Sequence, residues 1–185
     1  MKKKWKVLKS KKVYNSNWIK LFLQKIVTTK GVVINDFHRI EIKSSVVVLP
    51  ITRDNQIILI ETYKHGIGEN TFSLPAGYIN KYEKPIVAAK RELLEETGYK
   101  GLRWKKFGKF VSNSNYYSGE INFYVTYDSI KIGVEDSGDL EDIKVHKINI
   151  KKLKKLINNN KIKSLSSAYL IQKWLNLSDI SNCKS

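Results

Sequence analysis

Short apolar runs along the first part of the chain are broken by polar residues. Three stretches, WKVLKSKKVY, WIKLFLQKIV and VVINDFHRIEI, are rich in β-branched and aromatic side chains and are separated by NSN and TKG. They predict three strands joined by turns. SSVVVLPITRDNQIILIETY predicts two more strands meeting at RDNQ, and VVVLP is apolar on both faces, as a central strand is. HGIGENTFSLPAG reads as a Gly-containing loop leading to a short segment. The period then changes. Residues 84–97 predict a helix, with Pro85 in its first turn and Gly98 as its stop. LRWKKFGKFVS and INFYVTYDSI predict strands flanking a polar loop, NSNYYSGE, and EDIKVHKINI predicts a further strand. KKLKKLINNN and SSAYLIQKWLNL predict two helices, the second with a serine ahead of its apolar run as N-cap. The order implies an α/β chain: a small antiparallel β subdomain over 1–42, then a layered mixed α/β domain over 43–180.

Composition narrows the setting. The chain has 185 residues, enough for one domain with an appendage and a sizeable core. A single cysteine, Cys183, excludes a disulfide framework and a Cys-based zinc site and suits a reducing cytoplasm. No apolar run is long enough for a transmembrane helix, and MKKKWKVLKSKK has no apolar stretch behind its basic residues, so neither a membrane span nor a signal peptide is expected. The net charge of +17 would attract anionic substrates. It is carried almost entirely by lysine, with Arg39, Arg53, Arg91 and Arg103 scattered. Without an arginine cluster, an RNA partner is the weaker reading, and a lysine-rich solvated surface the stronger.

Against that basic background, GYINKYEKPIVAAKRELLEETGY concentrates acid. On a helix, Glu92, Glu95 and Glu96 share an arc of about 100°. Ala88 falls within this arc and Ala89 at its edge, leaving room for water and phosphate oxygens. Ile86, Val87, Leu93 and Leu94 are expected to face the sheet. Like charges at Glu92 and Glu96 repel, and a divalent cation removes the penalty. Oxygen-only ligation selects a hard ion, Mg2+ or Mn2+. Arg91 can pair with Glu83 and hold it. The plain alternative is an exposed charged helix face with Arg91 and Glu95 as an i,i+4 pair.

The spacing of Gly77, Glu83, Arg91-Glu92-Leu93, Glu95-Glu96, Gly98 and Tyr99 resembles the signature of the Nudix hydrolases at every charged and glycine position. The resemblance implies an α/β/α sandwich with a mixed sheet, and hydrolysis of a nucleoside diphosphate linked to another group. It implies Glu92 and Glu96 as metal ligands, Glu95 as a further ligand or one acting through water, and the Ala76 carbonyl beside them. Glu83 and Arg91 would support these groups, and Gly77 would lie against the substrate.

The likeness extends over roughly residues 5–177. VVVLPITRDNQIILIETYKHG, SLPAG and EDIKVHKINIKKLKKLINNNKIKSLSSAYL resemble the ADP-ribose and ADP-sugar diphosphatases. That group implies AMP and a sugar phosphate as products, and a homodimer that exchanges N-terminal strands. It implies an adenine stacked on Trp5 and Trp18, which otherwise belong to the core or interface of the β subdomain. It also implies Glu120 as catalytic base, which otherwise is an exposed loop acid. Three departures bear on specificity. Asn115 stands where a proline is usual, before Tyr116 and Tyr117, which are associated with dinucleoside polyphosphate hydrolases. Ser73 replaces a glutamate, and Lys64 an arginine at a substrate-contacting position. A dinucleoside polyphosphate or RNA 5′-end hydrolase and a non-catalytic nucleotide-binding module are the alternatives, though no box glutamate is lost. His38, His65 and His146 are given no role.

Overall fold

The computed structural model describes residues 4–135 and 142–182. Cys183, and Glu141 at the head of the strand expected over 141–150, lie outside the described residues. The chain forms two compact units, one running to Ser44 and including Phe110–Glu120, the other containing Ser45–Lys109 and Ile121 onward.

In the first unit, β1 (Lys6–Asn15), β2 (Ile19–Val27) and β3 (Val33–Ile42) make an antiparallel sheet in the order β1-β2-β3. At the first turn the Ser16 hydroxyl accepts the amides of Trp18 and Ile19 at 3.2 and 3.0 Å. Every described residue of β1 is exposed.

The second unit is built on a mixed sheet. Its strands are β4 (Ser45–Thr52), β5 (Ile57–Lys64), β6 (Glu69–Ser73), β7 (Ala76–Tyr78), β8 (Tyr99–Lys100), β9 (Arg103–Val111), β10 (Glu120–Lys131) and β11 (Lys144–Ile148), of which the last two residues of β9 and the first of β10 count with the first unit. The path runs β11-β5-β4-β10-β8, with β6 on β5, β7 on β4 and β9 on β10. β4 and β10 are parallel, from Ile121 beside Ser45 onward. Three helices complete it: α1 (Pro85–Thr97), α2 (Ile150–Asn158) and α3 (Leu165–Asn182).

The side-chain alternation of β4 explains the layers. Val46 and Val48 point to one face and pack with Ala88, Ala89 and Leu93 of α1 and with Tyr124. Val47 and Leu49 point to the other face and pack with Leu153 of α2 and Leu170, Ile171 and Trp174 of α3. An apolar residue is needed at every position of VVVL because helices cover both sides. The α/β/α sandwich expected from the sequence is therefore the observed fold.

Three local expectations are corrected. Ala88 and Ala89 do not leave space on the carboxylate arc. Both are fully buried against the sheet, whereas Val87 and Leu94 are exposed. The buried stripe runs Ala88-Ala89-Leu93-Glu96-Thr97, so the small alanines bring α1 close to the sheet and its carboxylates border the contact. Secondly, Ser164 caps α3, accepting the Ser167 amide at 3.4 Å, while the hydroxyl of Ser167 is turned inward to accept the Leu74 amide at 3.1 Å. Thirdly, HGIGENTFSLPAG holds two short strands, β6 and β7, because each finds a neighbour in β5 or β4.

Candidate active site

Arg91 is the hub of the carboxylate cluster. Its Nε and Nη2 donate to the two oxygens of Glu83, each at 3.0 Å, a bidentate pair. Its Nη1 donates to Glu92 Oε1 at 2.7 Å and Glu95 Oε2 at 2.9 Å, and Nη2 also reaches the Tyr78 carbonyl at 3.0 Å. One side chain thus joins α1, β7 and the loop between them. The loop closes itself, since the Asn80 amide donates to Glu83 Oε2 at 2.9 Å and the Glu83 amide to the Asn80 carbonyl at 3.0 Å. Gly98, in the left-handed conformation at φ 69°, ends α1, its amide on the Leu94 carbonyl.

Glu96 and Glu92 are held differently. Glu96 is buried and its Oε2 accepts the Ala76 amide at 2.8 Å. The Glu92 carboxylate lies against Gly77 so closely that a Cβ there would stand 2.1 to 2.2 Å from its atoms. Only glycine allows that approach.

The charges respond accordingly. Arg91 holds Glu83 below the usual carboxylate range, and Glu83 is in turn the main reason that the Arg91 pKa is raised. Burial pushes Glu92 up, and this outweighs the lowering by Arg91.

Among the described residues no three acidic, histidine or cysteine side chains converge on a single cation-sized point. Arg91 supplies the positive charge at the centre of the cluster. The residues nevertheless suit a hard divalent cation. The donors are oxygen only, the missing Cβ of Gly77 lets the Glu92 carboxylate lie against the backbone, and Glu96 is oriented by a backbone amide.

A cavity of about 540 Å³ adjoins the cluster and is lined by Ala76, Glu96, Lys64, His65, Lys163 and Ser164 among others. Sequence reasoning singled out Lys64, Ala76 and Glu96. It did not find Lys163 and Ser164, and it gave His65 no role. These residues meet because Thr71 accepts the Lys163 amide at 3.1 Å and donates to the Lys161 carbonyl at 3.1 Å, a contact between distant segments that no local pattern announces.

The remaining candidates belong to the first unit. The Glu120 amide donates to Ser44 Oγ at 3.3 Å. Trp5 and Trp18 are 54% and 65% exposed, so neither is a core residue of the described chain. Trp5 meets the Phe37 ring edge-on at 6.4 Å, and Lys43 Nζ lies 5.2 Å from the Trp18 ring centre. Trp5 precedes Lys6, which pairs with Val27, and Trp18 precedes Ile19, at the other end of β2. The two therefore stand at opposite ends of the hairpin, roughly 30 Å apart along the strand.

A family description, NUDIX domain, matches residues 42–165. The chain is 22% identical over 170 residues to the ADP-ribose pyrophosphatase of Bacillus subtilis (strain 168), covering 90% of each. It is 28% identical over 120 residues to the methanol dehydrogenase activator of Bacillus methanolicus, with 65% of this chain and 64% of that relative covered. It is 25% identical over 135 residues to the ADP compounds hydrolase NudE of Escherichia coli (strain K12), covering 72% of each. The crystal structure of an ADP compounds hydrolase superposes with a TM-score of 0.78 at 21% identity, over 95% of this chain and 96% of that one, a likeness of fold.

Proposed function

Because the chain belongs to the Nudix hydrolase family, we propose that it cleaves the diphosphate linkage of ADP-ribose or an ADP-sugar, giving AMP and a sugar phosphate, with Mg2+ or Mn2+. The observation that carries this reading is the intact carboxylate cluster around Arg91, opening through Ala76 and Glu96 into a cavity faced by Lys64 and Lys163.

Glu92 and Glu96 would hold the cation, with Glu95 assisting directly or through water and the Ala76 carbonyl beside them. When bound, such an ion would supply charge neutralisation for the diphosphate and a more acidic water. Glu83 contributes through Arg91, which it fixes in a bidentate pair. The backbone at Gly77 lies close to the substrate phosphates, and Lys64 offers them a charge-assisted hydrogen bond. Glu120 accepts the proton of the attacking water as general base.

Trp5 and Trp18 take the adenine. Their placement at opposite ends of the hairpin supports a clamp that pairs Trp5 of one copy with Trp18 of another, in a homodimer. Tyr117 is a weaker platform for the second base of a dinucleoside polyphosphate, because the Arg39 guanidinium carbon lies 5.3 Å from its ring centre and takes one face.

The test is a substrate panel resolved by chromatography. ADP-ribose, ADP-sugars, a dinucleoside tetraphosphate and a 5′-triphosphorylated RNA are incubated with Mg2+, with Mn2+ and with chelator. AMP release from ADP-ribose or an ADP-sugar, stopped by chelator, is the expected result. Cleavage of the RNA or dinucleotide alone overturns the substrate assignment.

A further inference from the structure

The segment that leads into Glu120 is closed on itself and seated on the N-terminal sheet. Asn113 Oδ1 accepts the amides of Asn115 and Tyr116 at 3.0 and 3.2 Å, and the Tyr117 amide donates to the Asn113 carbonyl at 2.9 Å. The hydroxyls of Ser112 and Ser118 meet across it. The loop is then tied to β3. The Ile40 amide donates to the Tyr116 carbonyl at 2.8 Å. The Arg39 guanidinium lies over two rings, 5.3 Å from the centre of Tyr117 and 5.7 Å from that of Phe22, and its Nη1 is fixed by Glu41 at 2.6 Å. A planar cation suits such a place, where an ammonium would not stack. At the loop exit Gly119 has φ +81°, and a Cβ there would stand 2.7 Å from the Ile42 carbonyl oxygen and 2.9 Å from that of Lys43. The Glu120 amide ends on Ser44.

Points on the stretch from Arg39 to Ser44 therefore fix the backbone from Tyr116 to Glu120. We propose that Arg39 is a positioning residue for catalysis. It holds Tyr117, and through it the backbone that presents Glu120, so the N-terminal sheet serves as the seat of the catalytic-base loop. This rests on the reading of Glu120 as the base. The contacts that fix the loop lie within one compact unit, so the seat is present in each copy of the chain.

The experiment compares Arg39→Met, Tyr117→Leu, Tyr117→Phe and Glu120→Gln, each alone, and Arg39→Met combined with Glu120→Gln. Arg39→Met is expected to lower kcat by about 10- to 100-fold, the scale of a small misplacement of a catalytic group. KM and the Mg2+ concentration for half-maximal rate stay at wild-type values. Tyr117→Leu matches it, and Tyr117→Phe, which keeps the ring face, retains wild-type kcat. On the residual turnover of Glu120→Gln, adding Arg39→Met has no further effect, because both act on one group. If Glu120→Gln loses activity while Arg39→Met keeps wild-type kcat, or if the two losses multiply, the positioning role is wrong and the base assignment stands. If Glu120→Gln is fully active, the base assignment fails, and the role of Arg39 falls with it. Should Arg39→Met not fold, Tyr117→Leu against Tyr117→Phe gives the same comparison.

Discussion

At the residue scale, the buried carboxyl of Glu92 weighs against stability. Its folded pKa is raised above 4.5, burial being the largest cause. A carboxyl with a raised pKa binds its proton more tightly folded than unfolded, so the ionised form weighs against folding above that range. Glu92→Gln should therefore raise Tm of the metal-free protein at neutral pH, with the gain shrinking as pH falls toward 4.5, while hydrolysis is lost. Thermal melts in chelator across that window, beside an activity assay, check both halves. Glu83 runs the other way. Its pKa is depressed by Arg91, so its contribution is present above the unfolded value and lost as pH falls through the folded one. Gly77→Ala sets a methyl group where the Glu92 carboxylate lies, with 2.1 Å to its nearest atom. The carboxylate must move, and kcat should fall by about 100-fold, the effect of a misplacement near 1 Å, with circular dichroism unchanged.

At the element scale, α1 presents its carboxylates from the border of a buried stripe, so its packing and its chemistry share residues. Leu93 is fully buried among Val46, Val48 and Tyr124. Leu93→Ala should cost about 2–5 kcal/mol in denaturant unfolding, with activity falling as the folded fraction falls. The helix itself was legible because its punctuation is local: Pro85, Gly98 and the charged spacing between them. The strands β1 to β5 were legible for the same reason, each carrying its own alternation or apolar run between turn residues. β7 and β8 were not, since two or three residues hold no period and become strands only beside β4 and β10. The orientation of α1 was misread because alanine is silent in a hydrophobicity pattern. At the site, the glutamates and their pairing with Arg91 could be read from spacing. The cradle at Gly77 and the cavity that Lys163 and Glu96 both line depend on contacts between separate segments, and nothing local signals them.

At the scale of the whole molecule, charge and assembly bear on turnover. With a net charge of +17, encounter with an anionic nucleotide should be electrostatically assisted. Where encounter limits the rate, kcat/KM falls as salt rises while kcat stays flatter, and a salt series on ADP-ribose measures it. Among the described residues no helix is long and apolar enough to cross a membrane. The distance between Trp5 and Trp18 gives a sharper test. Either residue changed to alanine should raise KM for adenine substrates, stacking being worth about 1–3 kcal/mol per base. If each clamp joins two copies, refolding the Trp5→Ala and Trp18→Ala chains together creates hybrids with one doubly altered clamp and one intact clamp. Low-KM activity should then reappear in the mixture. A mixture no better than its parents would remove the shared clamp.

The grouping of Phe110–Glu120 with the N-terminal sheet has a consequence for how such chains can be recombined. Residues 1–44 look like a cassette that precedes the hydrolase fold and could be traded for another. They are half of a lock whose other half lies in the middle of the chain. A transplanted hairpin lacking an arginine at position 39, or a third strand ending in a different register beneath Gly119, would leave the acceptor fold with its glutamate cluster in place and its loop unseated. A working exchange would carry 1–44 and 110–120 together.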